Sequence, residues 1–549
     1  MTEKITIFPA RKVITMNPVR PESSAVAVRG NRILAIGSVE ELKGYGDFEI
    51  DSTFENLILI PGLIEAHSHI GEGSHWAFPY IGYYDRKGPD GKKWPGLKTY
   101  QDVLEKIKAL NDEMSDPNKP LAVWGFDPIF FEGITMDATD LDQISKTRPI
   151  FVFHISDHLA SVNSALMKLK NITSETDVDG VVKGPDGNPT GELHEPYAMM
   201  ETEEIHNQIA DGNEIDQNWI TYGTQAKNAG CTMISEMAFG SPADQDAVDR
   251  LKRIVDDPDF PVRVVQPYLP ILHNVEDHRK AADWIVEQGE QSTEKLKMGF
   301  VKYFLDGSIQ GFTARIKPPG YHNGKPNGMW LTPPEELFNT LLDYHQANIA
   351  MHCHCNGDEA IDVFLDAVEE VQTVCPRPDH RHTVHHSQLT SVEQYNRMAK
   401  LGVCANIFSN HIYYWGDQHV KITVGPDRAQ RMNACRTAKE AGVHFSMHSD
   451  APITPISQMH SVWVAVNRLT ASGQILGEYE RISVYDALYA VTLDTAYTLK
   501  MDHEVGSIEP GKLADFTVLE QDPFAVDPGT LKDIPVWGTV VGGKLFPAA

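Results

Sequence analysis

Eight apolar, β-rich runs recur along the middle of this chain, each separated from the next by a helix-like stretch. They fall at 58–66, 231–236, 262–268, 298–305, 349–354, 381–386, 403–408 and 443–449. Strands joined through helices run parallel, because a helical crossover returns the chain to the starting end of the sheet. Eight such strands close naturally into a (β/α)8 barrel, an α/β fold whose functional side chains sit at the C-terminal strand ends. A doubly wound sheet is the competing fold. The ligand-type residues that end the strands make it the weaker one.

Local signals agree with this cadence. Thr332, Pro333 and Glu335 read as N-cap, first turn and capping-box partner of a helix that places Leu337, Leu341 and Leu342 on one side. A helix over 391–401 stops at Gly402, and one over 427–441 stops at Gly442. Two regions depart from the rhythm. The chain ends, 1–60 and 505–549, are short strands such as AVAVRGNRILAIG and VWGTVV, each end too small for its own core. They are expected to join as one composite β-sandwich, leaving 61–504 as the barrel. Between the first and second barrel strands lies an insertion, about 71–228, too long for a βα connection. It is expected to be a subdomain over the barrel mouth, with helices such as 101–114.

A formal charge of −28 over 549 residues argues against nucleic acid or an anionic membrane as partner, since both require a basic face. The apolar runs are too short to span a bilayer, and the first residues lack the apolar core of a signal peptide. Six cysteines in so long a chain are no disulfide framework, so a cytoplasmic location is the expectation. Cys353 and Cys355 flank a histidine, but strand alternation turns both away from the face carrying His352 and His354.

The strand ends carry the chemistry. His67 and His69, two apart, share one strand face and can reach one ion. Lys302 interrupts the apolar strand Phe300-Val301-Lys302-Tyr303-Phe304; strand five holds His352 and His354, strand six His385 and His386, and strand eight His448 and Asp450. One strand-end histidine is readily a structural hydrogen-bonding residue. Recurrence on five strands is not explained that way.

With Trp124-Gly125-Phe126-Asp127-Pro128, Ser156-Asp157-His158, Gly191-Glu192-Leu193, Tyr414-Trp415-Gly416-Asp417 and Ser449-Asp450-Ala451-Pro452, this set resembles the amidohydrolase superfamily. Within it, the chain is similar to the YtcJ-like branch that includes N-substituted formamide deformylase. The resemblance implies that His67, His69 and Asp450 hold one divalent metal ion and that His354 and His386 hold a second. Lys302, N-carboxylated, would bridge the two. Histidine-rich ligation favours zinc, with manganese, iron, cobalt and nickel also compatible. His385 stands where the family usually has Glu. Alternation would let only one of His385 and His386 serve, and the pattern favours His386. His352 shares a face with His354, which is preferred for its place beside Asn356-Gly357-Asp358.

The implied reaction is hydrolysis of a carbon–nitrogen bond (amide, formamide or N-acyl) by metal-activated hydroxide, an EC 3.5 activity on bonds other than peptide bonds. Asp450 would carry the proton to the departing nitrogen. Trp124, Asp127, His158, His411, Tyr414 and Trp415 are expected to line the pocket for a small amide-type substrate. The alternatives are hydrolysis of a cyclic amide, carbamate or ester, deamination of a heterocycle, and a catalytically silent barrel. A homodimer is the family-level expectation.

Overall fold

The computed structural model describes residues 4–132, 134–210, 212, 215–240, 244–270, 275 and 277–549. Its centre is a parallel eight-stranded sheet: β1 (Leu63–Ser68), β2 (Cys231–Glu236), β3 (Arg263–Tyr268), β4 (Leu296–Phe304), β5 (Ala350–Cys355), β6 (Thr383–His386), β7 (Cys404–Ile407) and β8 (Phe445–Met447). All neighbours pair in parallel, in chain order. This is the expected (β/α)8 barrel.

The run 58–66 splits in two. Ile58–Pro61 joins the sheet of the chain ends, and β1 begins after Gly62. A side chain on Gly62 would meet the Thr232 hydroxyl at 1.9 Å, so only glycine lets the chain cross from one sheet to the other here.

Closure depends on β1 meeting β8. The Asp450 amide donates to the His67 carbonyl (3.0 Å), and the His69 amide donates to the Ala451 carbonyl (2.8 Å). Beneath them the buried Glu65 carboxyl accepts from the Ser449 hydroxyl at 2.6 Å, the Gln458 amide at 2.7 Å and the His67 backbone at 3.1 Å. Burial, only partly offset by these donors, pushes the Glu65 carboxyl up to about 8.

The helices cover the barrel. Cys353 and Cys355 are buried in the layer between β5 and its helices, as alternation requires. Two helix expectations need correction. The helix at 332 runs over Pro334–Gln346 without a side-chain cap, because the Thr332 hydroxyl donates instead to the Phe304 carbonyl at 2.7 Å. The helix expected over 427–441 is two pieces, Gly425–Ala429 and Cys435–Ala441. Between them the buried Arg468 guanidinium takes the carbonyls of Met432 and Asn433.

The chain ends meet in one eight-stranded sheet, and Phe8, Val26 and Leu59 share a core with Phe516, Val518 and Val540. The insertion holds the helix Tyr100–Glu113 and also a five-stranded sheet of its own. That sheet runs Val181–Lys183, Pro189–His194, Leu159–Val162, Ile150–His154, Leu121–Phe126. No helix among the described residues is long and apolar enough to cross a membrane.

Removing the closing carboxyl should loosen the barrel. Glu65→Ala leaves a buried hydroxyl, an amide and backbone N–H groups without an acceptor, a loss of about 2–4 kcal/mol. Denaturant unfolding measures it, and a change below about 0.5 kcal/mol would show that the seam does not need Glu65.

Candidate metal centre

Parallel register sets the inward groups in rows. Lys302 lies opposite His352, and His352 opposite Thr383; one row further, Phe304, His354, His385 and Asn406 are level. β1 brings His67 and His69 to the same mouth, and β8 brings His448 and, just beyond its end, Asp450.

Strict alternation would send one of His385 and His386 outward. The structure instead turns both in. His386 adopts φ +67°, and Ser387 +50°, left-handed backbone that ends the strand pleat and returns the His386 ring to the interior. Its ring centre lies 4.7 Å from His67, 4.4 Å from His354 and 5.1 Å from His448. His385 sits below, with Nδ1 2.7 Å from His67 Nδ1 and Nε2 2.7 Å from His352 Nδ1. Asn406 gives its amide to the Ala66 carbonyl (3.2 Å) and receives His448 Nδ1 at 2.8 Å. These buried contacts orient the rings above them, as supporting hydrogen bonds do for ligating histidines.

With Nδ1 engaged, His67 presents Nε2, which lies 3.3 Å from Lys302 Nζ and 3.4 Å from Asp450 Oδ1. His69 Nε2 is 3.2 Å from the same oxygen. His354 Nε2 is engaged, 3.2 Å from the Gly307 carbonyl and 2.9 Å from the Asn356 amide nitrogen, which leaves Nδ1 as the ring nitrogen turned elsewhere. Two groups of three place their ligand atoms within 4.8 Å of one another: His67, His69 and Asp450, and His67, His386 and His448.

The electrostatics suit a cation. Burial, then the nearby Lys302 charge, holds His67 far below its ordinary range, so the ring stays neutral and one nitrogen keeps its lone pair. Burial brings the Lys302 amine down to about 7. At His69 burial is outweighed by the carboxylates of Asp450 and Glu236, which lift the ring to about 10; the same negative field would attract a metal ion. Asp450 lies below its ordinary value because contacts with His69 overcome its burial. Buried Nδ1 of His69 and Nε2 of His386 have no hydrogen-bond partner, and Asp450 Oδ1 has only the two imidazole nitrogens of His67 and His69 against it. Each unpartnered nitrogen would cost about 1–3 kcal/mol if left so. Imidazole nitrogens and a carboxylate oxygen converging in this way are the donor set of a zinc-type ion.

These groups open into a cavity of about 460 Å3. Of the six residues expected to line it, only His158 does so. The other five fasten the insertion to itself and to the barrel. Trp124 donates to the Phe78 carbonyl, Asp127 accepts from Trp415 Nε1 at 2.8 Å, His411 stacks on Trp415, and the Tyr414 carbonyl accepts the Tyr84 hydroxyl. His158 Nδ1 is 2.5 Å from the Glu195 carboxylate; Asp157 and Glu195 both adopt left-handed backbone, φ +57° and +67°, to make the pair.

Several site residues escaped the sequence reading. Glu236, 3.6 Å from His69 Nδ1, ends a predicted strand and could have been found by that rule. His448 is legible at the end of strand eight beside Asp450, and what the sequence left out is its place as a donor. Glu195 lies in the insertion, with no sequence spacing to connect it to the barrel.

The orienting role of His385 gives a test. His385→Ala should keep the fold yet weaken metal retention about 10–100-fold, through loss of the bond that aims His67. Competition with a chromophoric chelator reads this out, and unchanged retention would remove His385 from the site.

Residues 54–546 match the sequence profile of the amidohydrolase family. The chain is 25% identical to the putative amidohydrolase YtcJ of Bacillus subtilis, over 97% of each. It is 26% identical to the N-substituted formamide deformylase of Arthrobacter pascens, over 95% of this chain and 94% of that one. In fold it is similar to a crystal structure of a metal-dependent hydrolase from Pyrococcus horikoshii OT3, with TM-score 0.69, 19% identity and coverage of 96% and 99%.

Proposed function

The chain belongs to the amidohydrolase family, and from that premise we propose that it hydrolyses a carbon–nitrogen bond in an amide, formamide or N-acyl compound. One observation carries the reading: buried imidazole nitrogens without partners converge with the Asp450 carboxylate at the floor of one cavity, beside the Lys302 amine, which burial brings down to about 7. A relative named for deformylation of N-substituted formamides supports the bond type.

His67, His69 and Asp450 would hold one divalent ion. A second would lie among His386, His354 through Nδ1, and Lys302, with His448 Nε2, 3.2 Å from His386 Nδ1, as a further donor. Zinc fits these donors best. Such ions supply an activated water and polarise the substrate carbonyl. Lys302 would help to hold the ions only as a carbamate, formed when its neutral amine adds carbon dioxide and gives up a proton to solvent; an ammonium would repel both ions. The Asp450 carboxylate would take the proton released during attack and return it to the departing nitrogen, which otherwise leaves as a poor amide anion.

Protein prepared without chelators should contain about two metal ions per chain by elemental analysis, and active protein without metal would overturn the reading. Asp450→Asn should lower kcat by about 10²–10⁴-fold with the fold intact, since an amide cannot shuttle the proton. Lys302→Ala should abolish turnover, with partial recovery when a small carboxylic acid fills the bridge; full activity of Lys302→Ala would leave a one-metal mechanism.

A further inference from the structure

The cavity wall opposite the metal-ligand floor comes from the insertion, and its chemistry is one-sided. Phe153, Met199 and Met200 give it an apolar face, with the solvent-exposed carboxylate of Glu203 at its edge and the Asp157 carboxyl, which burial pushes up to about 7, beside it. Among the described residues that line the cavity there is no lysine or arginine. None of the residues outside the description is a lysine or arginine either.

The nearby basic groups are already committed. Lys302 lies beneath the floor against His67, and Arg86 donates to the carbonyls of Pro452 and Ile453. His158 faces the cavity, but Glu195 at 2.5 Å already balances any charge on that ring. His206 meets Phe153 edge-on and pairs with Asn207, with Nδ1 3.2 Å from Oδ1.

A substrate that sets its carbonyl over the floor must lay its nitrogen substituent against this wall. An uncharged, apolar substituent buries area there. A carboxylate on the carbon next to nitrogen would lie against this wall rather than over the floor, and there it meets Glu203 and an apolar face, with no lysine or arginine among the described lining residues to receive it. We propose that this cavity selects by charge: it takes uncharged N-acyl or N-formyl derivatives of apolar amines and rejects the same amide bearing a carboxylate next to the nitrogen. This rests on the carbon–nitrogen hydrolysis proposed above and names its substrate class. N-acylated amino acids and dipeptides fall outside that class, although the barrel chemistry alone would cleave them.

The test uses three formamides of similar size on the metal-loaded full-length enzyme: N-formyl-2-phenylethylamine, N-formylphenylalaninamide and N-formylphenylalanine, both enantiomers of the last two. The first two should be hydrolysed, with kcat/KM for the acid at least about 100-fold below that of the carboxamide. The carboxamide controls for bulk, so the ratio isolates charge. In Met200→Arg, which places a cation on the half-exposed part of the wall, the acid-to-carboxamide ratio should rise at least about tenfold. Acid and carboxamide cleaved within about threefold of each other by the wild type would overturn charge selection and leave the hydrolysis reading standing. A ratio unmoved in a folded Met200→Arg also counts against it. If metal-loaded enzyme cleaves none of the three, the bond assignment itself fails and charge selection falls with it.

Discussion

The meeting of the first barrel strand with the last is the contact on which the rest of this molecule depends. His67 and His69 are separated from Asp450 by some 380 positions of chain, yet they form one donor cluster, because the backbone around 67–69 pairs with that around 450–451. The buried Glu65 carboxyl holds the same seam from below through Ser449 and Gln458. Closure of the barrel and assembly of the site are therefore one event, and a chain that cannot close cannot assemble the donors.

Below the donors lies a second set of histidines whose role is orientation. His352, His385 and Asn406 each engage a ring or the backbone that carries one, so the imidazoles reaching the cavity have fixed nitrogens. This arrangement stores polar groups in a dry interior, which is costly unless something satisfies the upper atoms. Nδ1 of His69 and Nε2 of His386 are buried atoms of the floor that carry this demand. The barrel provides this floor of donors, whereas the insertion provides the opposing wall of the cavity.

Much of the barrel was legible because it rests on local rules. Strand runs, helix stops at Gly402 and Gly442, and paired residues two apart on a strand are consequences of backbone geometry that repeat wherever the same residues occur. The same locality makes the donor candidates legible: His67, His69, His354 and Asp450 each stand at a strand end. The failures have equally physical causes. Left-handed backbone at His386 defeated the alternation rule, and a distant guanidinium, Arg468, broke a helix that its own sequence would continue. Aromatic residues chosen as pocket lining, such as Trp124 and Trp415, proved to be packing, because a large side chain looks the same in sequence whether it faces a cavity or a core.

By itself the sequence determined the period of the fold, the chemical types of the donors and the strand ends on which they stand, since each depends on residues close in the chain. Only the tertiary structure decided which donors share a centre, which nitrogen each presents and what lines the cavity above them. Those depend on closure across the whole barrel and on an insertion folding back over its mouth. Contacts such as His67–Asp450 and His158–Glu195 join segments whose separation leaves no periodic trace in the chain.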